Sequence, residues 1–82
     1  NIPYNLTVGN NAMAKLLFAM GRPREASEYA ITALRLGENI KAKALEQEAV
    51  ELLAECYAAQ GNFQSALEMH KRSSELRDSL IS

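Results

Sequence analysis

Glycine and proline break the body of this 82-residue chain at only a few well-spread places: Gly9, Gly21-Arg22-Pro23, Gly37 with Asn39 close behind, and Gly61-Asn62. Between these marks apolar residues recur every three or four positions, and nothing shows the period-two alternation of a half-buried strand. The chain is therefore expected to be all-α.

Four helical segments fit the marks. From Val8 to Met20, Ala12, Met13, Leu16, Leu17 and Met20 keep helical spacing, and Gly21 supplies the left-handed residue that ends a helix. Pro23 restarts the chain in a first helical turn, where its missing N–H costs nothing. Ala26, Tyr29, Ala30, Ala33, Leu34 and Leu36 then mark one face up to Gly37. Asn39 is suited to cap a third helix over Ile40 to Gln60, about 31 Å long at 1.5 Å per residue. The fourth runs from about Phe63 to Leu80, with Phe63, Ala66, Leu67, Met69, His70, Ser73 and Leu76 on its inner side.

Short connections make consecutive helices antiparallel neighbours, so the expected fold is two helix-turn-helix hairpins in a row. A chain of 9.0 kDa can close one core, with a folded surface of roughly 4,900 Å² from mass scaling. Residues 1–82 therefore read as one domain. A slide of 40 residues matches Ala14 with Ala54, Ala19 with Ala59, Gly21 with Gly61, Ala26 with Ala66, Glu28 with Glu68 and Leu36 with Leu76. Small residues and glycines recur where helices approach or the chain turns. The pattern reads as a repeat, with one copy over about 7–40 and the second over about 41–80.

These residues resemble the tetratricopeptide repeat family. The second copy offers Leu53, Ala54, Tyr57, Gly61, Phe63, Ala66, His70, Ser73 and Leu76 at the motif positions, and the first offers Met13, Ala14, Leu17, Gly21, Pro23, Ala26, Ala30, Ala33 and Leu36. Pro23 stands for the usual aromatic, Ser73 for the usual alanine, and no proline ends either second helix. The 40-residue spacing resembles longer-helix variants such as kinesin light chain and implies one to two extra turns at the start of the third helix. The closing stretch ALEMHKRSSELRDSL is similar to the last repeat of bacterial signalling proteins. The resemblance implies a non-catalytic scaffold for a protein or peptide, within a longer array of a signalling or regulatory protein. A structural or dimerisation segment between sensor and output domains is the alternative.

Little in the sequence points to catalysis. His70 is the lone histidine and lacks a second ligand or carboxylate at motif spacing, and the lone Cys56 reads as a small buried hydrophobe. Ser73, Ser74 and Ser79 have no base in motif spacing, and the isolated glycines build no phosphate loop. No cofactor, metal or enzymatic activity is expected. A net charge of −1 gives no basic stripe for nucleic acid. The longest uncharged apolar stretch, Leu16 to Gly21, is far below the ~20 residues that span a bilayer. Compartment stays open between cytoplasm and periplasm.

Glu48, Glu51 and Glu55 follow i, i+3, i+7 and share one stripe of the third helix. On the resemblance this stripe faces a concave groove, with Asn11, Lys15 and Phe18 of the first helix opposite. A basic or amide-rich peptide would relieve the repulsion of three carboxylates, although the same stripe also suits a solvated face. The basic carboxylate clamp of co-chaperones is not matched. Leu76, Leu80 and Ile81 place apolar residues near the end of the last helix, where pairing between copies is expected.

Overall fold

The computed structural model describes residues 1–81, with the Ile81 side chain left undescribed; Ser82 lies outside the described residues. Four helices follow in order: α1 (Ile2–Ala19), α2 (Pro23–Asn39), α3 (Lys43–Ala59) and α4 (Phe63–Ile81). α1 packs on α2, α2 on α3, α3 on α4, and α1 also touches α3. The surface is 5110 Å², close to the mass-scaling value for a closed fold of this size.

The core is made largely of alanine. Ala14, Ala26, Ala30, Ala33, Ala49 and Ala54 are fully buried, with Leu17, Leu34, Val50, Leu52 and Leu53 filling the gaps between them. Small side chains let helix axes approach, and the larger residues interlock around the crossings. One cluster joins Ala14, Ala30, Ala33, Leu34, Ala49, Val50, Leu52 and Leu53, flanked by Tyr57, Met69 and Leu76; a second joins Leu17, Ala26 and Cys56 beside Phe18.

All three turns share one geometry. Arg22 N–H donates to the Leu17 carbonyl and Gly21 N–H to that of Phe18; Ala42 donates to Gly37 and Lys41 to Glu38; Asn62 donates to Tyr57 and Gly61 to Ala58. These are Schellman closures, with a left-handed residue just past each helix end. Gly21 has φ 77°, Gly61 φ 79° and Lys41 φ 57°. Lysine thus occupies a conformation that suits glycine.

The middle boundary corrects the sequence reading. α2 runs through Gly37 to Asn39, so Gly37 does not end a helix and Asn39 does not cap α3. Ala42 holds the cap position without a side-chain bond, and α3 has 17 residues, the same as α2, with no extra turns at its start. Gly37 is glycine for space: a Cβ there would sit 3.3 Å from Glu46 Cγ and 3.6 Å from Thr7 Cγ2. α1 begins at Ile2 rather than Val8, because the Asn1 side chain accepts the Tyr4 N–H and Pro3 fits the first turn.

Several residues expected inside lie outside. Met13, Leu16, Met20, Tyr29, Leu67 and His70 are exposed, and so is Phe63, at 70%. Phe63 opens α4 on the stripe that continues through Leu67 and His70 along an edge with no helix against it. Leu76 packs half-buried against the core, so of the apolar end only Leu80 is an exposed side chain among the described residues.

Replacing Ala26 or Ala66 with Leu should overpack a helix crossing and lower stability by about 1–3 kcal/mol, whereas the exposed Glu75→Gln should change it by less than ~0.5 kcal/mol. Urea melts of the three variants test this, and equal effects at all three sites would contradict the packing described. Lys41→Gly should raise stability by about 0.5–1 kcal/mol by relieving the left-handed lysine, net of glycine's entropy, while Gly21→Ala lowers it by a similar amount. Thermal unfolding of the pair reads both signs.

Candidate functional site

Helical spacing places Glu48, Leu52 and Glu55 along one side of α3, with Glu51 beside them, and the α1–α3 contact brings Lys15 opposite. These five side chains line an open cleft of about 270 Å³. Lys15 Nζ lies 2.6 Å from Glu48 Oε2, an ion pair across the cleft between an exposed ammonium and a half-buried carboxylate. Leu52, only 7% exposed, forms its apolar floor. The sequence reading passed over Leu52, although its place four residues after Glu48 and three before Glu55 puts it on the same stripe.

Glu51 is tied toward α4. Its carboxylate accepts from the Gln47 amide at 2.8 Å and lies 3.4 Å from Arg77 Nη2, with the Ser73 hydroxyl also at 3.4 Å. The Gln47 hydrogen bond, with Arg77 and Ser73 behind it, outweighs partial desolvation and holds the carboxyl below the ordinary value of 4.5. Glu51 therefore stays charged to lower pH than a free glutamate. Its support for the fold is present above the ordinary value and is lost as pH falls through the lowered one. Glu55 makes no ion pair among the described residues.

The structure brings together Lys15, Glu48, Glu51 and Glu55, but not the other two expected groove residues. Asn11 is 1% exposed and sits between α1 and α3, where its Nδ2 donates to the Leu45 carbonyl at 3.2 Å. Its Oδ1 is buried without a partner. Phe18 is half-buried against Leu17, Ala26 and Cys56, and Tyr57 against the larger core cluster. Both aromatics pack within the hairpins, so Leu52 supplies the apolar surface of the cleft. Ala14, Ala26, Ala54 and Ala66 are buried, and Gly21 and Gly61 sit in the turns, as the motif requires.

The chemistry of the cleft is recognition by charge, amide and a small apolar floor. Two repeated hairpins, buried alanines at the crossings and glycine turns 40 residues apart specify a repeat architecture. The sequence profile of the tetratricopeptide repeat matches residues 6–79. The chain belongs to the tetratricopeptide repeat family. No curated protein and no solved structure matches it. Tetratricopeptide repeats mediate protein–protein interaction, typically as non-catalytic scaffolds. Among the described residues, no helix of this repeat pair is long and apolar enough to cross a membrane.

Cys56 lies within the repeat core, fully buried and unpaired. Burial, with Glu55 nearby, pushes its thiol up to about 11, so almost no thiolate exists near neutral pH. Thiol reagents should therefore label Cys56 only as the protein unfolds, with labelling tracking the urea transition. Rapid labelling of the fully folded protein at pH 7 would refute this placement.

Proposed function

We propose that this tetratricopeptide repeat pair is a non-catalytic binding scaffold whose α1–α3 cleft takes an extended or helical peptide carrying a basic residue. The pair works as part of a longer repeat array in a signalling or regulatory protein. Glu55 carries the reading, because it is the one carboxylate of the cleft without an ion-pair partner, beside an apolar floor at Leu52. Glu48 and Glu51 already have Lys15 and Arg77, so a ligand cation meets Glu55 first and competes for the other two. The ion pairs contribute only ~0.2–1 kcal/mol each and chiefly set register and on-rate, and Leu52, only 7% exposed, adds a small apolar contact beside them. The mixed charge of the cleft gives nucleic acid no basic track.

A segment that joins two copies through its last helix is the second reading. It is favoured by Leu80, which remains half-exposed at the end of α4.

A peptide library selected on the protein should be enriched in Lys or Arg. Changing Glu48, Glu51 and Glu55 together to Gln should weaken a selected peptide about tenfold, with Glu55→Gln giving the largest single share, and added salt should mimic the change. Absence of basic enrichment would leave the stripe as a solvated face and return the chain to the structural reading.

A further inference from the structure

We propose that two copies of this chain pair through the outer face of α1, with the two α1 helices antiparallel about a two-fold axis level with Asn11. The pairing goes beyond the binding reading above and is independent of what the cleft takes. Ile2, Leu6, Gly9, Met13, Leu16 and Met20 follow one another in steps of four and three residues, so they form one seam along α1 and into its C-cap. The seam lies across the helix from Thr7, Asn11 and Ala14, which face the chain's own core. Its large side chains are open to solvent, Leu6 at 52%, Leu16 at 55% and Met20 at 57%.

The seam is its own complement. Ile2 and Met20 stand nine residues either side of Asn11, Leu6 and Leu16 five, and Gly9 and Met13 two. Laid antiparallel on a second α1, it sets Ile2 on Met20, Leu6 on Leu16 and Gly9 on Met13, each layer occurring twice, as a two-fold interface requires. Gly9 leaves the gap that receives Met13: a Cβ there would meet nothing within 4 Å, and the flexible Met13 side chain is 40% exposed. A parallel pairing would set Gly9 on Gly9 and Met13 on Met13, leaving one layer empty and crowding another.

Charge points the same way. Identical copies bring identical charges together, so a charged seam would repel itself. Lys15 is the only charged residue of α1, and it turns to Glu48 across the cleft. Antiparallel helices also set each N-terminus beside the partner's C-terminus, where their dipoles attract. The apolar surface of α4 suits α1 less well, because Phe63 and Leu67 continue into the exposed His70, Ser74 and Arg77, and covering that edge would bury a guanidinium. Five large apolar side chains per copy, more than half exposed on average, bury on the order of 1,000 Å² in total, near the lower bound for a specific interface, so the dimer is reversible. No seam residue lines the α1–α3 cleft, so pairing leaves both clefts open and makes the scaffold bivalent.

Sedimentation of the 82-residue chain from micromolar to millimolar concentration should show a reversible equilibrium between monomer and dimer. Leu6→Glu and Leu16→Lys should each weaken it at least about tenfold and leave the urea midpoint of the dilute monomer unchanged, since both side chains are exposed there. An equimolar mixture of the two variants should recover most of the loss, because antiparallel pairing sets the introduced carboxylate on the introduced ammonium in one layer and restores Leu6 on Leu16 in the other. A parallel pair would leave each introduced charge against leucine, so failure of the mixture to recover the loss overturns the proposal. A monomer throughout, or a dimer that Leu80→Lys abolishes and Leu16→Lys does not, overturns it as well, the latter in favour of the last helix. So does a monomer whose urea midpoint rises when residues 2–41 are repeated ahead of Ile2, which gives the seam to a preceding hairpin. Titrating the selected basic peptide into the Leu6→Glu monomer reads the cleft separately, so failure of one proposal is not mistaken for failure of the other.

Discussion

Helix backbones approach closely over alanine and glycine, and the rest of the structure depends on that approach. Ala26, Ala30, Ala33, Ala49 and Ala54 are without solvent contact, and Gly37 lets the first turns of α3 settle onto the end of α2. Because these side chains are short, each crossing has little tolerance for added volume, and the relative placement of the hairpins is fixed by steric fit. The cleft inherits that precision. Lys15 meets Glu48 only because α1 lies against α3, and the Asn11 amide fastens the same pair of helices through the Leu45 carbonyl.

The three turns make the packing repeat. Each closes with the same pair of backbone hydrogen bonds and a left-handed residue, so α2 leaves α1, α3 leaves α2 and α4 leaves α3 in the same way. Two of those residues are glycine. The third is Lys41, which shows that the interlocked helices can impose a conformation its side chain disfavours.

Electrostatics distinguish the two repeats where packing makes them alike. Asn11 is buried in the first copy, whereas its counterpart Glu51 lies in the open and is held by Gln47 and Arg77. The first hairpin thus meets α3 at this position with a buried amide, and the second presents the equivalent position as an exposed carboxylate. Arg72 of α4 pairs with Glu38 of α2, adding a long-range ion pair between the hairpins.

The sequence by itself determined the helices, the two hairpins, the turns at Gly21 and Gly61, the buried alanines and the carboxylate stripe of α3. Each follows from local periodicity or from a residue whose backbone preference is strong. Only the tertiary structure decided the middle turn, because Gly37 leaves room for Glu46 in this fold rather than stopping a helix, and no local rule separates a glycine needed for φ from one needed for room. It also decided which apolar residues are inside. Asn11 is buried and Leu16 is exposed because burial depends on which neighbouring helix is present, and helical periodicity fixes only which residues share a face. The ion pairs of Glu48 and Glu51 arise from residues more than twenty positions away, so their partial neutralisation, and the prominence it gives Glu55, came from the packing of helices.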